Sequence, residues 1–160
     1  MCEAEQKMTR GEKAEALFYE GYNCAQAVFC AYADDFGLER GVAAQLVSPL
    51  GGGMGRLREV CGTVSGGLMV IGQLYGYGTP DKGAAKARLY AIEQEFARRF
   101  AAVNGSYICR DLLGLSAGPS APTPEARTAE YYKKRPCPAL CKFAADLLDE
   151  LIDDIECGRF

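Results

Sequence analysis

The chain has 160 residues, 49% hydrophobic and 24% charged, with a net charge of −3, a balance that describes one domain large enough to bury its own core. It holds eight Cys and no His or Trp. Without histidine there is no Ser-His-Asp or Cys-His nucleophile, no histidine general base, no mixed Cys/His zinc site and no CxxCH haem attachment. The pI near 5.1 offers no basic footprint for nucleic acid. The opening MCEAEQKMTR is polar, and no apolar run approaches the ~18 residues of a membrane span. These features predict a cytoplasmic protein with no membrane span and no nucleic-acid partner. In a reducing compartment, many cysteines point to metal, catalytic or redox use before structural disulfides.

Thr9 and Glu12 form a capping box, and Ala14, Leu17, Phe18 and Gly21 follow at helical spacing, which predicts a first helix over 10–20. Asn23 and Gln26 repeat the signal for a second helix with Ala25, Val28, Phe29 and Tyr32 on its apolar face and Cys24 in its first turn. Gly37 is read as a terminator. A short helix follows around Val42 to Val47, and Pro49 ends it before the loop Gly51-Gly52-Gly53-Met54-Gly55. The segment CGTVSGGLMVIGQLY, Cys61 to Tyr75, reads as a buried central helix in which Gly62 and Gly66, one turn apart, leave a groove for another helix or a ligand. Val64, Met69, Val70 and Ile71 would also suit a strand.

Thr79-Pro80 signals the start of a long helix with Ala85, Leu89, Ile92, Phe96, Phe100 and Val103 on one face and Gly105 at its end. Ser106 is placed to cap a short helix carrying CRDLLG. Residues 114–124 are low in complexity, and the region 114–136 is expected to be a mobile loop within the domain rather than a boundary. The last helix begins near Pro138, with the stripe Leu140, Phe143, Ala144, Leu147, Leu148, Leu151 and Ile155. No internal repeat is present. The expected architecture is all-α, a single compact domain over 1–160 with five to seven helices around the Gly-rich central one.

Cys24, Cys61, Cys109 and Cys137 each fall at a predicted helix start. Helix-end N–H groups and partial positive charge favour a thiolate by roughly 0.3–1 kcal/mol. Arg56, Arg58, Arg110 and the run Lys133-Lys134-Arg135 would act in the same direction. Four converging thiolates would repel one another, so a metal centre, a protonated subset or a disulfide must resolve the conflict. An iron–sulfur cluster takes four thiolates from separated parts of a chain. A zinc ion is less favoured because no CxxC pair exists, and reversible dithiol chemistry needs only two bridgeable cysteines. Against this stands simple packing, because free Cys behaves as a small buried hydrophobe. Cys30 fits that reading, Cys141 is in reserve for the site, and Cys2 and Cys157 near the termini are incidental.

The ordered set NCAQAV, CGTVSG, CRDLLG and a cysteine opening the last helix resembles the redox-active protein family named for its C_GCAxxG_C_C pattern, over roughly residues 14–150. By position, the resemblance implies Cys24, Cys61, Cys109 and Cys137 as the family cysteines, with Gly62 and Gly66 framing the central motif and Thr63 standing where the pattern has Ala. It implies redox activity and assigns no substrate.

The leading expectation is a small redox protein whose four cysteines converge to ligate an iron–sulfur cluster or metal ion, or to cycle between dithiol and disulfide, with Gly62, Gly66 and Arg110 beside the cofactor. Electron transfer or thiol–disulfide oxidoreductase activity would follow, with an unknown redox partner and a homodimer as one assembly. The alternative is a non-enzymatic ligand- or partner-binding helical module whose cysteines only pack. The glycine loop lacks the Lys-Ser/Thr of a P-loop, so packing beside the cysteine helix is expected of it, with Arg56 and Arg58 facing a small anion or a charged cluster. Glu93 and Glu95 are expected on a solvated helical face rather than as a catalytic pair.

Overall fold

The computed structural model describes residues 7–80 and 83–160, and among these it is all-α. The helices are α1 (Arg10–Tyr19), α2 (Cys24–Cys30), α3 (Arg40–Val47), α4 (Gly62–Tyr75), α5 (Ala84–Asn104), α6 (Cys109–Leu112), α7 (Ala129–Lys134) and α8 (Cys137–Glu156). Seven correspond to the elements expected from periodicity and capping. The eighth, α7, lies inside the stretch 114–136 that was expected to be loop. Its N-cap is Thr128, whose hydroxyl accepts from the Tyr131 N–H, a signal hidden by the surrounding Pro and Ala.

Both capping boxes form. Thr9 and Glu12 exchange side-chain and backbone bonds at the start of α1, and Asn23 and Gln26 do the same for α2. Helix α2 is buried along nearly its whole length, between α1, α4 and α8. The amphipathic stripe of α8 packs on α1 and α2, with Leu140, Ala144, Leu147, Leu148 and Leu151 buried. The Tyr32 hydroxyl, just beyond α2, lies 2.8 Å from both Ala145 O and Asp149 Oδ1 of α8.

The Gly-rich segment is a helix and not a strand. Its first half is buried, but Met69 and Leu74 in the second half are 39% and 43% exposed, so α2 shares the central position with only part of α4. The close approach explains the glycines. A Cβ on Gly66 would lie 2.7 Å from Ala25 O, and one on Gly62 would lie 2.9 Å from Cys24 Sγ. The groove between these glycines is therefore filled by α2 itself.

Thr79-Pro80 precedes α5 without starting it; Gly83 is the N-cap, and residues 81 and 82 lie outside the described residues. Leu89, Ile92, Phe96 and Phe100 are buried as expected, whereas Val103 is 69% exposed because α5 runs on past the core. Glu95 is paired rather than merely solvated: hydrogen bonds from Arg98 and Arg99 hold its carboxyl down to about 2, and Arg99 also bonds Asp154 of α8 at 2.7 Å. No described helix is long and apolar enough to cross a membrane.

Candidate functional site

A short antiparallel crossing assembles the site. Val60 and Ile108 form an isolated bridge, with Cys61 N donating to Tyr107 O at 2.8 Å and Cys109 N donating to Glu59 O at 2.6 Å. Side chains alternate across such a ribbon, so Cys61 and Cys109, each next to a bridge residue, lie on the same face. The chain then enters a helix on either side, making Cys61 the N-cap of α4 and Cys109 the first residue of α6. Cys24 and Cys137 are the first residues of α2 and α8.

All four helix-start thiols line one cavity of about 570 Å³. Cys24, Cys61 and Cys109 are 9%, 5% and 6% exposed, and Cys137 is partly buried. Cys141, fully buried one turn into α8, turns its sulfur toward Cys24 O at 3.9 Å and stands behind the cavity wall. Cys30 packs in the core with its sulfur 3.9 Å from Arg40 O. Cys157 is exposed, Cys2 lies outside the described residues, and every described cysteine is a free thiol.

Burial decides the ionisation of these sulfurs. It raises Cys24 even though the Gly52 and Cys24 N–H groups favour its thiolate, and it pushes Cys61 and Cys137 up to about 12. Neighbouring thiols add to the rise, with Cys24 acting on both Cys61 and Cys137. For these three, the small favourable effect of helix ends and basic neighbours is outweighed by burial. A helix-end field is worth roughly 0.3–1 kcal/mol, while holding a thiol from 9.0 up to about 12 corresponds to about 4 kcal/mol.

The glycine loop also lines the cavity and packs beside the cysteines, as expected, in the form of a defined turn. Gly52, Gly53, Met54, Gly55 and Arg56 all have φ between 65° and 69° and form a left-handed turn closed by Gly55 N to Gly51 O at 2.9 Å. Left-handed backbone costs about 1–2 kcal/mol at a non-glycine residue, and Arg58 adopts it too, at φ 63°. The turn brings Arg58 inward: it is 3% exposed, its Nε donates to Ser120 Oγ at 2.8 Å, and its Nη1 lies 3.6 Å from Cys109 Sγ. A Cβ on Gly53 would meet Cys109 Cβ at 2.6 Å, so glycine there allows the close approach.

Four residues escaped sequence reasoning as parts of the site. Arg127 donates to Phe18 O at 2.6 Å and Tyr22 O at 2.9 Å and lies over the Phe18 ring at 4.1 Å, fastening residues near 127 to the end of α1. Glu125 and Tyr131 join it in the lining. A lone arginine in a Pro/Ala-rich stretch carries no periodic signal. Thr63 was visible only as a departure from a motif; it is fully buried, with its hydroxyl 3.1 Å from Cys61 Sγ.

Of the residues expected beside a cofactor, Gly62 and Gly66 face α2, and Arg110 pairs with Glu59 at 3.1 Å. Among the described residues no group of three or more Cys, Asp or Glu side chains is placed to hold a metal ion. The sulfurs share a cavity without forming a ligand cage.

Residues 22–151 match the family model described as "Putative redox-active protein (C_GCAxxG_C_C)". The chain belongs to this C_GCAxxG_C_C family. The match runs from just before Cys24 to the last buried turn of α8, so it takes in all four cavity cysteines and both elements of the Val60–Ile108 crossing. No curated protein and no solved structure matches the chain. Family membership carries redox activity as a description and leaves the chemistry to the site.

Proposed function

We propose that this C_GCAxxG_C_C protein is a thiol–disulfide redox protein that stores an electron pair in its cavity cysteines. The observation that carries the reading is the gathering of four helix-start thiols around one cavity, with the Arg58 guanidinium against one of them. Cys109 is the attacking sulfur, since a cationic donor beside sulfur stabilises the charge it must carry as a nucleophile. Cys24 is the resolving sulfur, buried at the start of α2 in the same cavity. In the reduced state Cys24 stays protonated and gives up its proton as the disulfide forms.

The test is anaerobic titration of the reduced protein against thiol/disulfide buffers, read by intact mass and peptide mapping without reduction. The expected product is a Cys24–Cys109 disulfide, two hydrogens lighter than the dithiol, that is lost in Cys24→Ser and Cys109→Ser. A visible iron–sulfur spectrum in anaerobically purified protein, or stoichiometric zinc, would replace the reading with a metal centre. Thiols that stay unreactive across the titration would leave the non-enzymatic binding module.

A further inference from the structure

The cavity has a charge opposite to that of the chain. Four arginines line it, Arg56, Arg58, Arg127 and Arg135, against a single carboxylate, Glu125, although the chain as a whole carries −3. Arg135 pairs with Glu125, while the other three bond to uncharged oxygens: Arg56 Nε to Ala121 O, Arg58 Nε to Ser120 Oγ, and Arg127 to two backbone carbonyls. Guanidinium groups gathered without matching carboxylates attract anions, and their planar donor forks fit carboxylates.

We infer that the oxidant reduced at this cavity is a small disulfide bearing carboxylates. This rests on the thiol–disulfide reading above and names the substrate class for it. Size points to a small molecule: about 570 Å³ lies within the range of small-molecule sites and exceeds what one tetrahedral oxoanion fills. Burial points the same way, since thiols 5–9% exposed are withdrawn from a disulfide on a folded partner's surface. Phe18, Pro124 and Leu140 in the lining provide apolar surface for the ligand's methylene stems.

The reaction balances with the ligand as oxidant. The Cys109 thiolate attacks one ligand sulfur, the ligand S–S bond breaks, and the released thiolate takes up the proton that Cys109 gave up. Cys24 then loses its proton and attacks the Cys109 sulfur of the mixed disulfide. A protein S–S bond forms, and the second ligand thiolate leaves with the Cys24 proton. Two thiols are oxidised to one disulfide, and one ligand disulfide is reduced to two thiols.

The experiment compares three small disulfides as oxidants of the reduced full-length chain: glutathione disulfide (anionic), 2-hydroxyethyl disulfide (neutral) and cystamine (cationic). Each rate is divided by that of the same disulfide with dithiothreitol, which removes intrinsic reactivity. The normalised rate should fall from anionic to neutral to cationic, by about tenfold or more across the set at low ionic strength, and the spread should narrow with added salt. In Arg56→Asn, which keeps a residue tolerant of left-handed backbone, the anionic-to-neutral ratio should drop about twofold, with three of the four arginines still in place. If that variant fails to fold, the salt dependence of the unaltered chain still decides. Equal normalised rates, or a preference for the cation, would overturn the charge assignment while leaving the thiol–disulfide reading intact. Failure of all three disulfides to oxidise the protein would remove that reading, and this inference with it.

Discussion

Arg58 sits in left-handed backbone at φ 63° and from there brings Nη1 to 3.6 Å from the Cys109 sulfur. A guanidinium buried at 3% exposure without a carboxylate partner is costly unless something nearby takes negative charge. The Cys109 sulfur is such a group when it acts as a nucleophile.

Replacing Arg58 with Asn, which tolerates left-handed backbone, should keep the helical circular dichroism and slow alkylation of Cys109 near neutral pH by about tenfold, the scale of a lost hydrogen bond to a charged group. Peptide-resolved mass spectrometry after timed alkylation measures this. An unchanged Cys109 rate would separate Arg58 from the chemistry.

Thr63 gives Cys61 a hydroxyl neighbour at 3.1 Å, and that contact works against burial by lowering the thiol's pKa. Thr63→Val removes the hydroxyl and keeps the branched shape. Cys61 should then alkylate several-fold more slowly at alkaline pH, with stability changed by about 1 kcal/mol. Faster alkylation of Cys61 would mean that the hydroxyl shields the sulfur instead of activating it.

The raised thiols make stability depend on alkaline pH. In the unfolded chain a cysteine ionises near its ordinary value of 9.0, whereas folded Cys61 and Cys137 stay neutral up to about 12. Between these limits the folded state binds more protons, so the stabilisation is complete below pH 9 and is lost as pH rises toward 12. Urea midpoints should therefore decline from pH 8.5 to 10.5, and Cys61→Ala should flatten that decline. A midpoint that stays level in the unaltered chain would show these thiols to be less buried in solution.

Gly66 tests how tightly α2 and α4 must approach. Alanine would gain about 1 kcal/mol of helix propensity, but its Cβ would sit 2.7 Å from Ala25 O, against backbone that cannot rotate away. Overpacking of this kind costs typically 1–3 kcal/mol. Gly66→Ala should therefore lower the thermal midpoint by several degrees, on the scale of about 2–4 °C per kcal/mol for a chain of this size. A midpoint equal to or above that of the unaltered chain would show that the helices can part without cost.

Much of this protein was legible in its sequence because the signals are local. Capping boxes at Thr9 and Asn23, the stripe from Leu140 to Leu151, and helix-start positions for Cys24, Cys61, Cys109 and Cys137 depend on residues within a turn of one another. The missing histidine leaves any metal or redox chemistry mainly to thiols and carboxylates. Three outcomes lay outside the reach of local pattern. The left-handed turn from Gly52 to Arg56 is held by its fit against Cys109 and Glu59. Arg127 matters only because α1 ends where its guanidinium arrives. The protonation of Cys24, Cys61 and Cys137 follows from burial, which is a property of everything packed around a sulfur and not of its neighbours in the chain. Sequence identified which sulfurs begin helices; packing decided that they share one cavity, that three of them stay neutral, and that arginines surround them.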